Sequence, residues 1–136
     1  MNSPIMPSGT VVGFGLDAVE VEDFSRLLTD PLSNFLPKYF TQRELDSAGQ
    51  GITKAERLAG RFAAKEAVMK ALGVGWGDGV AFYDVEVITQ PSGAPSIELH
   101  RSLKVVADER RICGWLVTIT HTRKTALAGA IALGGA

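Results

Sequence analysis

One segment, Thr53–Gly73, restricts the fold of this chain more than any other. It opens on the capping-box pattern Thr53-Lys54-Ala55-Glu56 and ends at Gly73, and both signals mark helix ends. The spacing predicts one long helix that runs to Leu72. Its apolar face must be covered by other elements of the fold. At about 100° per residue, the apolar side chains that fan across one half of this helix are Ala55, Leu58, Ala59, Phe62, Ala63, Met69 and Leu72.

Strand and helix patterns on both sides of the long helix supply those elements. Apolar and β-branched runs predict strands over residues 10–17, 81–89, 96–99, 112–120 and 125–133. A second capping box, Thr41-Gln42-Arg43-Glu44, opens a short helix that ends near Gly49, and further helices are predicted over 18–28 and 101–110. We predict the α+β class, with a single compact domain in which an antiparallel sheet packs against one long helix and shorter helices. The 136 residues fit one domain, 9–136, preceded by a loose N-terminal arm over 1–8.

Composition excludes several classes of partner. The net charge is −1, so the molecule as a whole has no field that would hold nucleic acid or an anionic membrane. The longest uncharged apolar stretch, 126–136, is shorter than the roughly 20 residues that span a bilayer. The N-terminal residues lack the basic and apolar regions of a signal peptide, and the single cysteine, Cys113, excludes an internal disulfide. We therefore expect a cytoplasmic protein.

The most informative residue of the long helix is a carboxylate on its apolar face. Glu66 falls inside the apolar fan, between Phe62 and Ala59, and Lys70 follows one turn later at the edge. A carboxylate there is costly unless it is paired, hydrogen-bonded or bound to a metal. The simpler interpretation, which the pattern by itself favours, is a salt bridge between Glu66 and Lys70. The functional interpretation is a metal or catalytic carboxylate.

Basic residues follow the neighbouring side of the same helix. Arg57, Arg61 and Lys65 are spaced at four-residue intervals, which is typical of a solvated row that pairs with nearby acids. The alternative is a row that contacts phosphate, because a guanidinium matches the geometry of phosphate oxygens. The loop predicted over residues 73–79 is rich in glycine, and includes Gly73 and Gly75.

Two polar residues at predicted strand ends complete the set of candidates. Asp17 ends an apolar strand that contains glycines, where it either caps the next helix or faces a site. His121 stands between Thr120 and Thr122 at another strand end, where a simple hydrogen-bonding role is equally open. Together with the basic row, the two carboxylates resemble a site for phosphate and Mg²⁺, which takes one or two carboxylates plus phosphates and water.

In order along the chain, these motifs closely resemble those of the holo-[acyl-carrier-protein] synthase type of 4′-phosphopantetheinyl transferase. The first motif is Gly13-Phe14-Gly15-Leu16-Asp17. The second is Phe62-Ala63-Ala64-Lys65-Glu66-Ala67-Val68-Met69-Lys70. Further strings similar to the family are 40–45, 57–67, 84–87, 92–95 and 119–122. The resemblance covers nearly the whole chain after residue 9.

The resemblance implies a reaction and a role for each matching residue. Such enzymes transfer phosphopantetheine from coenzyme A to a serine of an apo acyl carrier protein and release adenosine 3′,5′-bisphosphate. Asp17 and Glu66 match the Mg²⁺ ligands. Glu66, or a water beside it, would be the general base, and Lys70 would stabilise the leaving group. Coenzyme A would be held by the side chains or loop at Arg61, Lys65, His121, Gly73 and Gly75. Homotrimers with an active site at each protomer interface are expected.

One segment departs from the family pattern. The small enzymes commonly carry basic residues just after the first motif, where the acidic carrier protein docks, but this chain has Glu20, Glu22 and Asp23. Either the carrier docks on Arg26, Lys38 and Arg43, or it is atypical, such as a carrier domain of a type I fatty-acid or polyketide synthase. Two other functions stay open on the residues: a non-catalytic module that binds coenzyme A, and a Mg²⁺-dependent hydrolase of a nucleotide pyrophosphate.

Overall fold

The structure is a computed structural model of the chain, and it describes residues 9–30, 35–51, 53–75 and 82–135. The predicted arm over 1–8 and residues 76–79 of the predicted glycine-rich loop lie outside the described residues. In chain order the elements are β1 (Thr10–Glu20), α1 (Val21–Thr29), α2 (Phe35–Tyr39), α3 (Gln42–Ala48), α4 (Lys54–Leu72), a 3₁₀ turn (Phe82–Asp84), β2 (Val85–Thr89), β3 (Pro95–Leu99), α5 (Arg101–Glu109), β4 (Ile112–His121) and β5 (Thr125–Gly134).

The predicted α+β class is confirmed, with two antiparallel sheets. Three strands form one sheet in the order β1-β5-β4, and β2 pairs with β3 in a separate two-stranded sheet. In the larger sheet, Asp17 of β1 lies opposite Ala128 of β5. The face that β5 turns toward α4 is lined by small side chains that are almost completely buried: Ala126, Ala128, Ala130 and Ala132. These small side chains allow the long helix to lie close to the sheet.

The long helix α4 lies at the centre of the molecule. Burial extends beyond the predicted apolar fan, because Ala64, Ala67 and Val68, which lie outside it, are also fully buried. The helix packs against β1 and β5 on one side, and against β2, α1 and α3 on others. Its many alanines leave room for neighbours on most sides, so pattern analysis based on large side chains misses those faces.

The two predicted capping boxes have different outcomes. At α3 the prediction is confirmed: Thr41 Oγ1 accepts from the Glu44 amide at 3.2 Å, and a Glu44 carboxylate oxygen accepts from the Thr41 amide at 2.8 Å. At α4 it is wrong, because the Thr53 side chain makes no capping hydrogen bond. Its backbone has φ −82° and ψ −4°, a helical conformation in place of the extended one that a capping residue adopts. Gly73 ends α4 with φ 69°, as predicted.

Residue 81 of the strand predicted over 81–89 lies outside the described residues, and in the rest of that segment the strand begins only at Val85. Residues 82–84 form a 3₁₀ turn, which allows the Phe82 ring to stack on Phe62 with centroids 5.2 Å apart. The Asp84 carboxylate in this turn accepts hydrogen bonds from Arg101 and Ser102 at the start of α5. The sequence pattern did not reveal this interruption, because a turn and a strand can share the same apolar residues. Within the part of the chain described, no helix is long and apolar enough to cross a membrane.

Candidate active site

Two glycines of β1 determine how close Asp17 comes to α4. A Cβ atom added at Gly15 would lie 1.8 Å from the Ala67 carbonyl oxygen, and one added at Gly13 would lie 2.3 Å from the Ala71 oxygen. Only glycine permits this approach of strand and helix. As a result, Asp17, two residues after Gly15 on the same side of the strand, faces α4 and is mostly buried.

Lys70 of α4 forms hydrogen bonds to β1 that join the helix to the strand. Its ammonium donates to Asp17 Oδ1 at 2.9 Å and to the Leu16 carbonyl oxygen at 3.0 Å. The ion pair that Lys70 forms within the described residues is therefore with Asp17, and the simple Glu66–Lys70 salt bridge is not formed. The prediction that Asp17 ends the strand is wrong, because β1 continues for three more residues to Glu20. Asp17 therefore does not cap α1: the capping position is Glu20, whose side chain makes no capping hydrogen bond.

Glu66 lies beside this pair and is affected by both charges. Burial, and secondarily the negative charge of Asp17, raise the pKa of Glu66 above its usual value, while the Lys70 ammonium opposes the shift. Two carboxylates and one ammonium thus share a partly buried surface at the junction of β1 and α4. This arrangement can bind a cation and can accept a proton, which are the two tasks predicted for Glu66.

Tyr39 is a residue of this site that the sequence analysis missed. Its ring packs edge-on against Phe62, with centroids 5.8 Å apart, and against Phe82 at 4.8 Å. Burial, and secondarily the charge of Glu66, raise the pKa of the Tyr39 hydroxyl. The charge of Glu66 therefore acts on the Tyr39 hydroxyl as well as on Asp17 and Lys70. The short helix α2 that carries Tyr39 has no clear pattern in the sequence, so no signal pointed to this residue.

Lys65, predicted to bind coenzyme A, lies inside the fold and pairs with an acid. The side chain is completely buried, and its ammonium lies 2.7 Å from Glu44 Oε1. It also donates to the carbonyl oxygens of Phe82 and Val85, while the other Glu44 oxygen accepts from the Val87 amide at 2.8 Å. Every proton of the ammonium is used within the fold. Of the two interpretations of the basic row, pairing with an acid holds for Lys65.

Arg61 lines a cleft on another side of α4. Its guanidinium donates to Ser47 Oγ at 3.3 Å and to Thr89 Oγ1 at 3.4 Å. Its buried Nε has no hydrogen-bond partner among the described residues, and burial lowers the pKa of the group. The cleft has a volume of about 310 Å³, and His121 lies on its wall with Nδ1 3.6 Å from a Glu56 oxygen. A guanidinium with a free donor in a cleft suits an anionic ligand.

The predicted residues therefore fall into two groups in one protomer. Arg61 and His121 line the cleft, whereas Asp17, Glu66 and Lys70 are not among its described lining residues. Arg61 and Glu66 lie about 140° apart around the axis of α4, which separates the groups. Gly73 follows the acidic group at the end of α4, where its amide donates to the Lys70 carbonyl oxygen at 3.0 Å. A Cβ added at Gly75 would meet nothing within 4 Å.

Comparison with known proteins assigns the chain to a family. A family profile described as the 4′-phosphopantetheinyl transferase superfamily matches residues 13–121. The chain belongs to this superfamily. A holo-[acyl-carrier-protein] synthase of Thermoanaerobacter sp. (strain X514) is 37% identical over 121 residues, which cover 89% of this chain and 86% of the relative.

Solved structures of such synthases have the same fold as this transferase. The crystal structure of a holo-ACP synthase from Plasmodium yoelii has a TM-score of 0.82 at 27% identity, and covers 96% of this chain and 100% of that chain. A synthase from Bacillus anthracis, in complex with coenzyme A (3′,5′-ADP), has a TM-score of 0.76 at 29% identity and covers 93% and 100%. The predicted family and architecture are confirmed.

Two of the three cations considered for carrier docking are already paired in this transferase. Arg26 donates to Glu22 and Asp23 on the exposed side of α1, each at 3.0 Å. Arg43 lies 3.8 Å from carboxylate oxygens of both Glu86 and Glu98. On the surface next to the first motif, the acidic residues Glu22 and Asp23 are therefore already paired with Arg26.

A second group of possible metal ligands lies on the hairpin of this transferase. Atoms of Glu86, Glu98 and His100 lie within 4.8 Å of one another. His100 Nε2 is 3.1 Å from Glu86 Oε1, and Glu86 also accepts from Thr41 Oγ1 at 2.6 Å. Together with Arg43, these contacts satisfy the carboxylate of Glu86. We interpret the group as a polar network that joins α3 to the hairpin.

Proposed function

We propose that Asp17, Glu66 and Lys70 form the catalytic centre of this transferase. The reaction is the transfer of 4′-phosphopantetheine from coenzyme A to a serine hydroxyl of an apo acyl carrier protein. The observation that carries the proposal is the meeting of two carboxylates and an ammonium where the two family motifs, on β1 and α4, come into contact. Placing two acids close together on a partly buried surface is energetically unfavourable, and such arrangements are typical of functional sites.

The residues fit a bound Mg²⁺. Carboxylate oxygens are the donors that Mg²⁺ prefers, and the Lys70 ammonium shows that a cation is accepted against Asp17. Asp17 and Glu66 would hold the ion. When bound, Mg²⁺ neutralises the pyrophosphate of coenzyme A and favours in-line attack at phosphorus.

The side chains of the chain account for the remaining chemistry. Glu66 takes the proton of the attacking serine hydroxyl, and its raised pKa brings it nearer to the value that suits a general base. The serine oxygen forms a bond to the β-phosphorus as the bond from that phosphorus to the bridging oxygen breaks. The electron pair leaves on the 5′-phosphate of adenosine 3′,5′-bisphosphate. Lys70, one turn from Glu66, stabilises that charge.

We further propose that Arg61 and His121 bind phosphate groups of coenzyme A in their cleft. The Arg61 guanidinium on the cleft wall supports this role, because its planar donors match the geometry of phosphate oxygens. Gly75, next to the end of α4, borders open space that the pantetheine arm can use. Lys65 takes no part in binding, since the fold uses all its donors.

A homotrimer would bring the two groups together. The outer face of the β1-β5-β4 sheet is apolar, with Phe14 63% and Leu16 56% exposed, and an apolar depression of about 290 Å³ adjoins Leu116 and Ile131. Such a face on a soluble chain marks a protein interface. Packing of the sheets in a closed ring would set the Arg61 cleft of one protomer against the acidic centre of the next.

Intact-mass spectrometry tests the reaction. Apo carrier proteins, including a discrete carrier and an excised synthase domain, are incubated with the chain, coenzyme A and Mg²⁺. We expect a carrier to gain one phosphopantetheine, and EDTA to prevent the gain. Coenzyme A breakdown without transfer would indicate a hydrolase instead, and binding without turnover would indicate a scaffold. A cytoplasmic location is part of the proposal, in keeping with a chain whose single cysteine cannot form an internal disulfide.

Subunit mixing tests the shared site. Glu66→Gln and Arg61→Ala each inactivate one half of every site in a homogeneous trimer. When the two variants are co-expressed and assemble at random, about three in four trimers contain both variants, and each of these holds one intact site of its three. About one quarter of wild-type activity should therefore be recovered. Recovery near zero, in mixed trimers verified by native mass spectrometry, would show that both halves of a site come from the same protomer.

A further inference from the structure

We infer that Lys70 is an internal counter-cation of the acidic centre, which pairs with Asp17 until a divalent cation binds and is then released toward the substrate. The inference rests on the proposed function, because it takes Asp17 and Glu66 as the ligands of the metal. It adds that Lys70 competes with the metal for Asp17. The residue would therefore weaken metal binding in the free protein while it accelerates transfer.

The contacts of Lys70 show where it lies before a ligand arrives. Its ammonium is 2.9 Å from Asp17 Oδ1, and the Leu16 carbonyl oxygen fixes it from the same strand at 3.0 Å. Mg²⁺ binds carboxylate oxygens at about 2.0–2.1 Å and carries its own waters. An ammonium in contact with Asp17 occupies part of that space and repels a second cation. The two cations exclude each other at Asp17.

The mobility of each partner decides which one moves. The Asp17 side chain is 16% exposed on a strand that glycines hold against α4, whereas Lys70 is 52% exposed. Lysine carries its charge on a flexible four-carbon stem, so the ammonium can leave while α4 stays in place. Because Lys70 is one turn from Glu66, the released ammonium remains beside the reacting groups. Binding of the cation would thus release the Lys70 ammonium, which can then stabilise the negative charge on the leaving phosphate.

This model differs from one in which Lys70 serves only the leaving group. In that case its removal slows transfer and leaves the metal affinity of the free protein unchanged. A counter-cation has opposite effects on the two quantities: its removal slows transfer and tightens metal binding. A shift of metal affinity in the protein without coenzyme A therefore separates the two roles, and it does not depend on turnover.

The test is titration of the full-length protein with Mn²⁺, followed by electron paramagnetic resonance, in the absence of coenzyme A. Lys70→Met should bind Mn²⁺ about three- to tenfold more tightly than the wild-type chain. Lys70→Arg, which keeps the charge, should remain within about twofold of wild type. Lys104→Met is the matched control, because Lys104 forms an exposed ion pair with Asp108 on α5, and it should leave the affinity unchanged.

The outcomes distinguish this inference from the proposed function. Equal or weaker Mn²⁺ binding by Lys70→Met, with wild-type binding lost in Asp17→Asn, overturns the counter-cation and keeps the metal site. Wild-type binding no tighter than that of Asp17→Asn overturns the metal site, and the inference with it. Circular dichroism establishes that each variant is folded, and Lys70→Gln replaces the methionine variant if that one is not.

Discussion

Lys65 Nζ lies 2.7 Å from Glu44 Oε1, and neither side chain is exposed to solvent. Lys65 is the residue directly before Glu66, so this buried pair fixes α4 next to the proposed catalytic carboxylate. Glu44 also receives amide hydrogen bonds from α3 and β2, and the pair therefore joins three elements. A buried ion pair adds little stability over an apolar pair of the same size. Its effect here is to specify the position of α4.

Breaking this pair should cost more than replacing it. Lys65→Met leaves the Glu44 carboxylate buried without its counter-charge, and we expect the free energy of unfolding to fall by about 3–5 kcal/mol. The double variant Lys65→Met with Glu44→Leu should recover part of that loss, with a coupling energy of about 1–3 kcal/mol. Urea denaturation measures both values. Additive losses would show that the two residues act independently.

Gly15→Ala should destabilise the protein by separating β1 from α4. The added methyl would lie 1.8 Å from the Ala67 carbonyl oxygen, which is backbone and cannot move away alone. We expect the free energy of unfolding to fall by about 1–3 kcal/mol, together with lower activity as Asp17 shifts. Thermal denaturation measures the change. Gly75→Ala is the control, with no atom within 4 Å of the new Cβ, and a similar loss there would refute the packing argument.

Glu66→Gln should abolish most of the transfer activity without unfolding the protein. The amide has the shape of the carboxylate but cannot take the serine proton, so we expect the rate to fall by about 100- to 10,000-fold. The mass assay described above measures the rate, and circular dichroism measures the fold. A rate close to wild type would remove Glu66 from the mechanism.

The stability of the wild-type protein, compared with that of Glu66→Gln, should depend on pH in a defined direction. The pKa of Glu66 is raised from 4.5 by burial and by Asp17, so the folded state holds this proton more tightly than the unfolded chain does. The stabilisation from the bound proton is complete below pH 4.5 and is lost as pH rises through the raised pKa. Relative to Glu66→Gln, the wild-type free energy of unfolding should therefore fall as the pH rises from 4.5 through the raised pKa. Denaturation at a series of pH values measures the difference, and a rise would contradict the assigned shift.

Phe14→Lys should weaken the assembly that we propose. Phe14 is 63% exposed on the open face of the large sheet, and a charge there cannot be buried against another protomer without a partner. Light scattering should report a trimer for the wild-type chain and smaller species for the variant, with activity lost in parallel. Val105→Lys, an exposed position on α5, is the control and should leave both unchanged. A fully active monomeric variant would exclude a site shared between protomers.

Sequence patterns predicted the elements that have strong local signals. The capping box at Thr41 and the glycine at Gly73 were interpreted correctly, because each depends on the conformation of a few adjacent residues. The same reasoning failed at Thr53, whose backbone is helical and whose side chain makes no capping hydrogen bond. It also failed at residues 82–84, where a stacking contact with Phe62 favours a turn over a strand. At residues 82–84, packing against a distant residue outweighed local preference.

The sequence by itself determined the family, the presence of the five strands and of four of the five helices that the structure describes, and the identity of the acids and lysine at the proposed centre. These follow from residue types at fixed local spacings, whereas α2 has no such pattern. Only the tertiary structure decided which charged side chains form ion pairs with each other. Lys65 pairs with Glu44 across 21 residues of sequence, and Lys70 with Asp17 across 53. Electrostatic energy depends on distance in space and on burial, and neither quantity is set until the strands and helices have packed.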